Sequence, residues 1–112
     1  MAYLRATTIE NGGGGAINYS HTVTAVPRNV TTYASAELLN GFAVICNGSS
    51  NFEYNQNVRN WAEVGDGSLL DSYSYASTVT LNYDTTTHRF YATNTTNTAN
   101  FYLHVWKINW FV

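Results

Sequence analysis

The segment from Phe101 to Val112 constrains the fold most. Extended, it places Phe101, Leu103, Val105, Lys107, Asn109 and Phe111 on one face and Tyr102, His104, Trp106, Ile108, Trp110 and Val112 on the other. Large apolar groups then occupy both faces, and such a strand sits centrally in a layered structure or against another subunit. At about 25 cal/mol per Å² and roughly 150 to 250 Å² per ring, leaving Trp106, Trp110 and Phe111 in water would forfeit several kcal/mol. The chain is short and this segment closes it, so a second copy is the expected cover. Trp106, Trp110 and Phe111 are the expected oligomer interface.

With 112 residues, the whole of 1–112 reads as one domain. Charged residues make up 11% of it, against about 25% in an ordinary soluble protein, and the net charge is -2. Arg5, Arg28, Arg59, Arg89 and Lys107 are scattered singly, without the basic face a nucleic-acid partner needs. Thr, Asn and Ser instead supply 37 residues, so the polar surface is built from neutral hydrogen-bonding groups. Cys46 is the only cysteine, which excludes an intramolecular disulfide. MAYLRATTIE lacks the basic and apolar regions of a signal peptide, and no run approaches the roughly 18 apolar residues of a membrane span, so neither export nor a membrane partner is expected. The four Asn-x-Ser/Thr sequons, at Asn18, Asn29, Asn47 and Asn94, are expected by chance in so Asn- and Thr-rich a chain.

β-Branched and aromatic residues favour strands nearly throughout. The first strand is expected over Ala2 to Ile9, neither face of which reads clearly as core, followed by a flexible loop at Gly12 to Gly15. Ala16 to Val26 alternates, with Ile17, Tyr19, His21 and Val23 opposite Asn18, Ser20, Thr22 and Thr24, and Pro27 ends it. Asn40-Gly41 suits a type I′ turn and predicts a hairpin between Thr31–Leu39 and Phe42–Cys46, pairing Leu39 with Phe42 and Glu37 with Val44. The rival reading is a short helix from Ser35 to Asn40 capped by Gly41. Further turns are expected at Asn47 to Asn51, Gly65 to Ser68 and Asp84 to Thr87, separating extended segments over Phe52–Val64, Leu69–Tyr75, Thr78–Tyr83 and Arg89–Thr93. Eight or nine short strands with regular turn signals specify an all-β fold, an antiparallel β-sandwich or jelly roll.

Chemistry-bearing motifs are sparse. His21, His88 and His104 lack metal-ligand spacing, and no cofactor or metal is implied. His21 and His104 read as hydrogen-bonded wall residues, and Cys46, after Ala43-Val44-Ile45, as a small core hydrophobe. The acids are dispersed, no Gly-x-Ser-x-Gly elbow occurs, and the glycine run lacks the Lys and Ser or Thr of a phosphate-binding loop. The expectation is a protein that is not an enzyme. A small hydrolase would need acids, or a histidine and an acid, gathered in a cleft.

The residues suit recognition by aromatic faces beside neutral polar groups. Tyr73 and Tyr75 share a strand face, while Tyr54 and Trp61 fall in Asn-rich segments, making these four the candidate ligand-binding residues. For any one ring, burial in the core is the competing assignment.

The start MAYLRATTIE, the Gly12 to Gly15 run, the Asn-, Thr-, Ser- and Tyr-rich strands and the ending Val105-Trp106-Lys107-Ile108-Asn109-Trp110-Phe111-Val112 together resemble small bacteriophage virion proteins. Tail-fibre tips, head fibres and decoration proteins are of this kind. The resemblance is one of style over the whole length, and no family binding residue transfers by motif. It implies a homo-oligomeric all-β virion or appendage protein, located in the virion, whose loops bind a host-surface glycan or other virion proteins. The alternative is a monomeric lectin-like carbohydrate-binding domain.

Overall fold

The computed structural model describes residues 2–10, 18–47, 58–75, 77–95 and 100–109. It contains one helix, α1 (Ala2–Glu10), and among the described residues eight strands: β1 (Asn18–Val26), β2 (Thr32–Tyr33), β3 (Gly41–Asn47), β4 (Val58–Gly65), β5 (Ser68–Ser74), β6 (Val79–Asp84), β7 (Arg89–Asn94) and β8 (Phe101–Asn109). A five-stranded antiparallel sheet, ordered β1-β8-β3-β4-β5, lies over a three-stranded one, ordered β2-β7-β6. The chain is an all-β sandwich.

β8 is an interior strand, with Trp106 between His21 of β1 and Phe42 of β3. Its two apolar faces enter two separate cores. Phe101, Leu103 and Val105 join Ala43, Ile45, Val64, Val79, Phe90 and Leu38 between the sheets. Trp106 and Ile108 face the other way, packing with Phe42, Val44, Cys46 and Trp61 under Ala2, Ala6 and Ile9 of α1. The cover expected from a second copy therefore comes from the chain's own helix, and Trp106 is 0% exposed within one protomer. That removes Trp106 from the expected oligomer interface. Trp110 and Phe111 lie outside the described residues.

The strand expected over Ala2 to Ile9 is a helix instead. Ala2, Ala6 and Ile9 recur at helical spacing and cover apolar sheet surface, and this tertiary burial outweighs the poor helix propensity of Thr7 and Thr8. Arg5 anchors the helix on β4 through an ion pair with the buried Glu63 at 2.9 Å.

Neither reading of Asn40-Gly41 holds. Residues 34–38 bond to the other sheet, Ala34 N–H donating to Phe90 O and Leu38 N–H to His88 O. β3 pairs with β4 and β8 rather than with the preceding segment, and residues 35–40 form bends instead of a helix. Asn40-Gly41 is where the chain crosses between sheets. Asn40 accepts Ile108 N–H on its carbonyl and Asp66 N–H on its side chain. Gly41, at φ 149°, passes so close to β8 that a Cβ would stand 2.0 Å from the Trp106 carbonyl oxygen.

The type I′ hairpin is at Asp66-Gly67, with φ of 51° and 76°, joining β4 to β5 where a turn was expected. The loop after Asp84 is also as expected: its Oδ1 accepts the N–H groups of Thr86 and Thr87, bonds that hold the carboxyl below the ordinary carboxylate range. The Gly12 to Gly15 loop and most of the Asn47 to Asn51 turn lie outside the described residues.

Candidate functional site

Three of the four aromatic residues singled out in the sequence come together at one margin of the large sheet. The register places Trp61 of β4 opposite Tyr73 of β5, and their rings stack at 6.0 Å and 20°. Tyr75 follows on the same face, its N–H bonded to Arg59 O, with the Arg59 guanidinium 5.8 Å from its ring centroid. Trp61 is 8% exposed and forms the floor, whereas Tyr73 and Tyr75 are 51% and 68% exposed. Tyr54 lies outside the described residues.

Among the described residues β5 ends the sheet order, is exposed at every residue from Ser68 to Ser74 and gives no side chain to either core. Leu69 and Leu70 add two further exposed apolar side chains. The strand carries neither of the usual edge protections, Lys or Pro, and its irregularity, at Leu70, is confined to one end. Asp71 is its one charged residue; it sits opposite Glu63, and its carboxylate bonds the N–H of Ser72.

A second constellation, not foreseen as a unit, lies at the opposite margin, where α1 ends over β1 and β8. Glu10 Oε1 accepts the indole N–H of Trp106 at 2.8 Å and lies 3.1 Å from His21 Nδ1. The other nitrogen of His21, Nε2, is 2.9 Å from Nδ1 of the fully buried His104. The His21 ring stacks on Trp106 at 4.3 Å and 11°, and Trp106 on Phe42 at 5.1 Å. Burial holds His21 below the ordinary imidazole value, with the charge and hydrogen bond of Glu10 opposing it. The groups form a chain from carboxylate to imidazole to imidazole, each nitrogen of His21 directed at a protein partner instead of at a common point where an ion could sit. Sequence alternation assigns His21 and His104 each to a face of its own strand, and the β1–β8 register brings them together. Glu10 lies just beyond the strand expected over Ala2 to Ile9, and it is the helix α1 that brings it to His21.

Among the described residues no group of three or more His, Cys, Asp or Glu side chains is set to hold a metal ion, and no helix is long and apolar enough to cross a membrane. His88 is half-buried at φ 55°, with its Nδ1 3.3 Å from the Tyr83 hydroxyl. Burial pushes the Cys46 thiol up to about 12. No known protein family matches the sequence, and neither the curated proteins nor the solved structures contain a significant match.

Proposed function

We propose that this chain is a non-enzymatic structural module of a virion or comparable appendage, assembling with protein partners through the free β5 edge. One observation carries the reading: β5 is exposed along its whole length and presents Leu69, Leu70 and Tyr73, with Tyr75 just beyond. A sheet edge offers a row of backbone donors and acceptors to another strand, and apolar side chains beside it add burial on docking. The neutral, Asn- and Thr-rich surface and the stylistic resemblance to small phage virion proteins support the same reading.

Light scattering of the purified protein from 1 to 100 µM tests it. The expected result is mass rising with concentration, and loss of that rise in Leu70→Lys, which places a strongly hydrated charge on the edge. A single-protomer mass throughout would overturn it. The Trp61–Tyr73 stack with the open Tyr75 ring favours a second reading, carbohydrate binding, since such rings stack on sugar faces. A monomer retained on a glycan surface, with retention lost in Tyr75→Ala, would put that reading first.

A further inference from the structure

We propose that the occupant of the β5 edge is β5 of a second copy, paired antiparallel about a two-fold axis at Tyr73, so that two five-stranded sheets become one continuous sheet. The inference rests on the assembly reading above and specifies its partner and register.

Hydrogen-bond direction limits the registers. Tyr75 N–H points inward, to Arg59 O, and beyond the irregularity at Leu70 the strand alternates, so Asp71, Tyr73 and Tyr75 bond towards β4. Ser72 and Ser74 therefore direct their backbone groups at the open edge. An antiparallel partner must set outward residues opposite outward residues. Centring on Tyr73 does this, matching Ser72 of each copy with Ser74 of the other and bringing the two Tyr73 residues face to face as a close, non-hydrogen-bonded pair.

Charge selects among the registers that remain. Ser72 and Ser74 also meet the hydrogen-bond condition as centres. Centring on Asp71 or Ser72, however, leaves the two carboxylates opposite or diagonal to each other, which destabilises a strand pair, and centring on Ser74 moves Asp71 away from the other copy's Tyr75. Centring on Tyr73 separates the carboxylates and sets each Asp71 beside the other copy's Tyr75, over which an Arg59 guanidinium is held. Within the protomer Asp71 faces Glu63, whose partner is Arg5, and among the described residues Asp71 makes no ion pair. The two-fold contact supplies one cation to each of the two Asp71 carboxylates. The present bond from Ser72 N–H to Asp71 would give way to one from Ser72 N–H to the opposing strand. A single-strand contact is smaller than the roughly 800 Å² per partner of a standard interface, so association in the micromolar range is expected.

Two experiments on the full chain test this register. Residues opposed in a non-hydrogen-bonded pair have Cα atoms about 4.5 Å apart, within disulfide range. Tyr73→Cys at 50 µM with oxidised glutathione should yield a covalent dimer, while Leu69→Cys, off the axis, and the wild type, whose Cys46 is buried, should not. The second is a charge exchange. Arg59→Asp and Asp71→Arg should each weaken association at least tenfold, and the double variant should recover to within about threefold of wild type. If the wild type associates but Tyr73→Cys cross-links no faster than Leu69→Cys, or the double variant fails to recover, this register is overturned while the assembly reading stands. If the wild type stays monomeric at 100 µM, both fall.

Discussion

His21 and His104 meet across the β1–β8 pair with Nε2 of one 2.9 Å from Nδ1 of the other. At that separation one nitrogen donates and the other accepts, so the pair accommodates one positive charge but not two. Glu10 on the far side of His21 fixes which end of the chain is anionic. The cluster ties the end of α1 to the two strands it covers, and its protonation is therefore coupled to the docking of the helix.

Stability is expected to decline on acidification through the histidine range. In the fold, burial keeps His21 below its ordinary value of 6.5, although Glu10, facing it together with His104, opposes the shift. The unfolded chain takes up a proton as the pH falls through about 6.5, and the folded chain resists until lower, so the unfolded state binds more protons in between. The contribution of His21 is thus fully present above that value and is lost as the pH falls through the lower folded value. Urea midpoints at pH 7.5 and 5.5 should differ, and His21→Gln should narrow the difference. An equal fall in both proteins would contradict the assignment.

Trp106→Phe should destabilise the protomer without altering its association. The substitution removes a buried donor to Glu10 and part of the stacking surface for His21, a loss of about 2 to 3 kcal/mol. Chemical denaturation reads the loss, and sedimentation reads the unchanged mass distribution. A change in mass distribution at unchanged stability would return Trp106 to an interface.

Gly41→Ala should be among the most damaging single substitutions in the chain. Its Cβ would lie 2.0 Å from the backbone oxygen of Trp106 in the neighbouring strand β8, at a φ that L-residues rarely adopt. Neither atom can move without breaking the β3–β8 ladder, so a cost of roughly 3 to 5 kcal/mol is expected, against near-neutrality for alanine at an exposed turn. Thermal unfolding of the variant would measure it.

Cys46 should be inert in the native state. It is 0% exposed, and its thiol is pushed up to about 12, so the reactive thiolate is scarce at pH 8. A disulfide reagent at that pH should label the protein only as denaturant unfolds it. Fast labelling without denaturant would mean that α1 opens readily.

The strands with one wet and one dry face were the most legible. Val79, Leu81 and Tyr83 alternate with polar residues and form β6, and of the two positions open to a segment apolar on both faces, inside a layered structure or against a second copy, β8 takes the first over Phe101 to Ile108. The cover over the second face was not legible, because Ala2, Ala6 and Ile9 are small or few and neither face of an extended Ala2 to Ile9 stands out as apolar. Asn40-Gly41 and Asp66-Gly67 carry the same local signal. Only the second is a tight hairpin, since segment 34–38 gains hydrogen bonds from the opposite sheet that a local turn would forgo. The candidate margin was half legible: Tyr73 and Tyr75 share a face by alternation, but their apposition to Trp61 depends on the β4–β5 register.

The position of β8 bears on how the chain reaches this fold during synthesis. β1 and β3 are made well before β8, yet each lacks a neighbour until β8 slots between them. A nascent polypeptide carries two open seams until Phe101 to Asn109 has emerged, and pairings so distant in sequence close slowly. Closure of the large sheet should therefore be late and sensitive to crowding by sibling chains, with ribosome-stalled fragments ending before Phe101 remaining protease-labile.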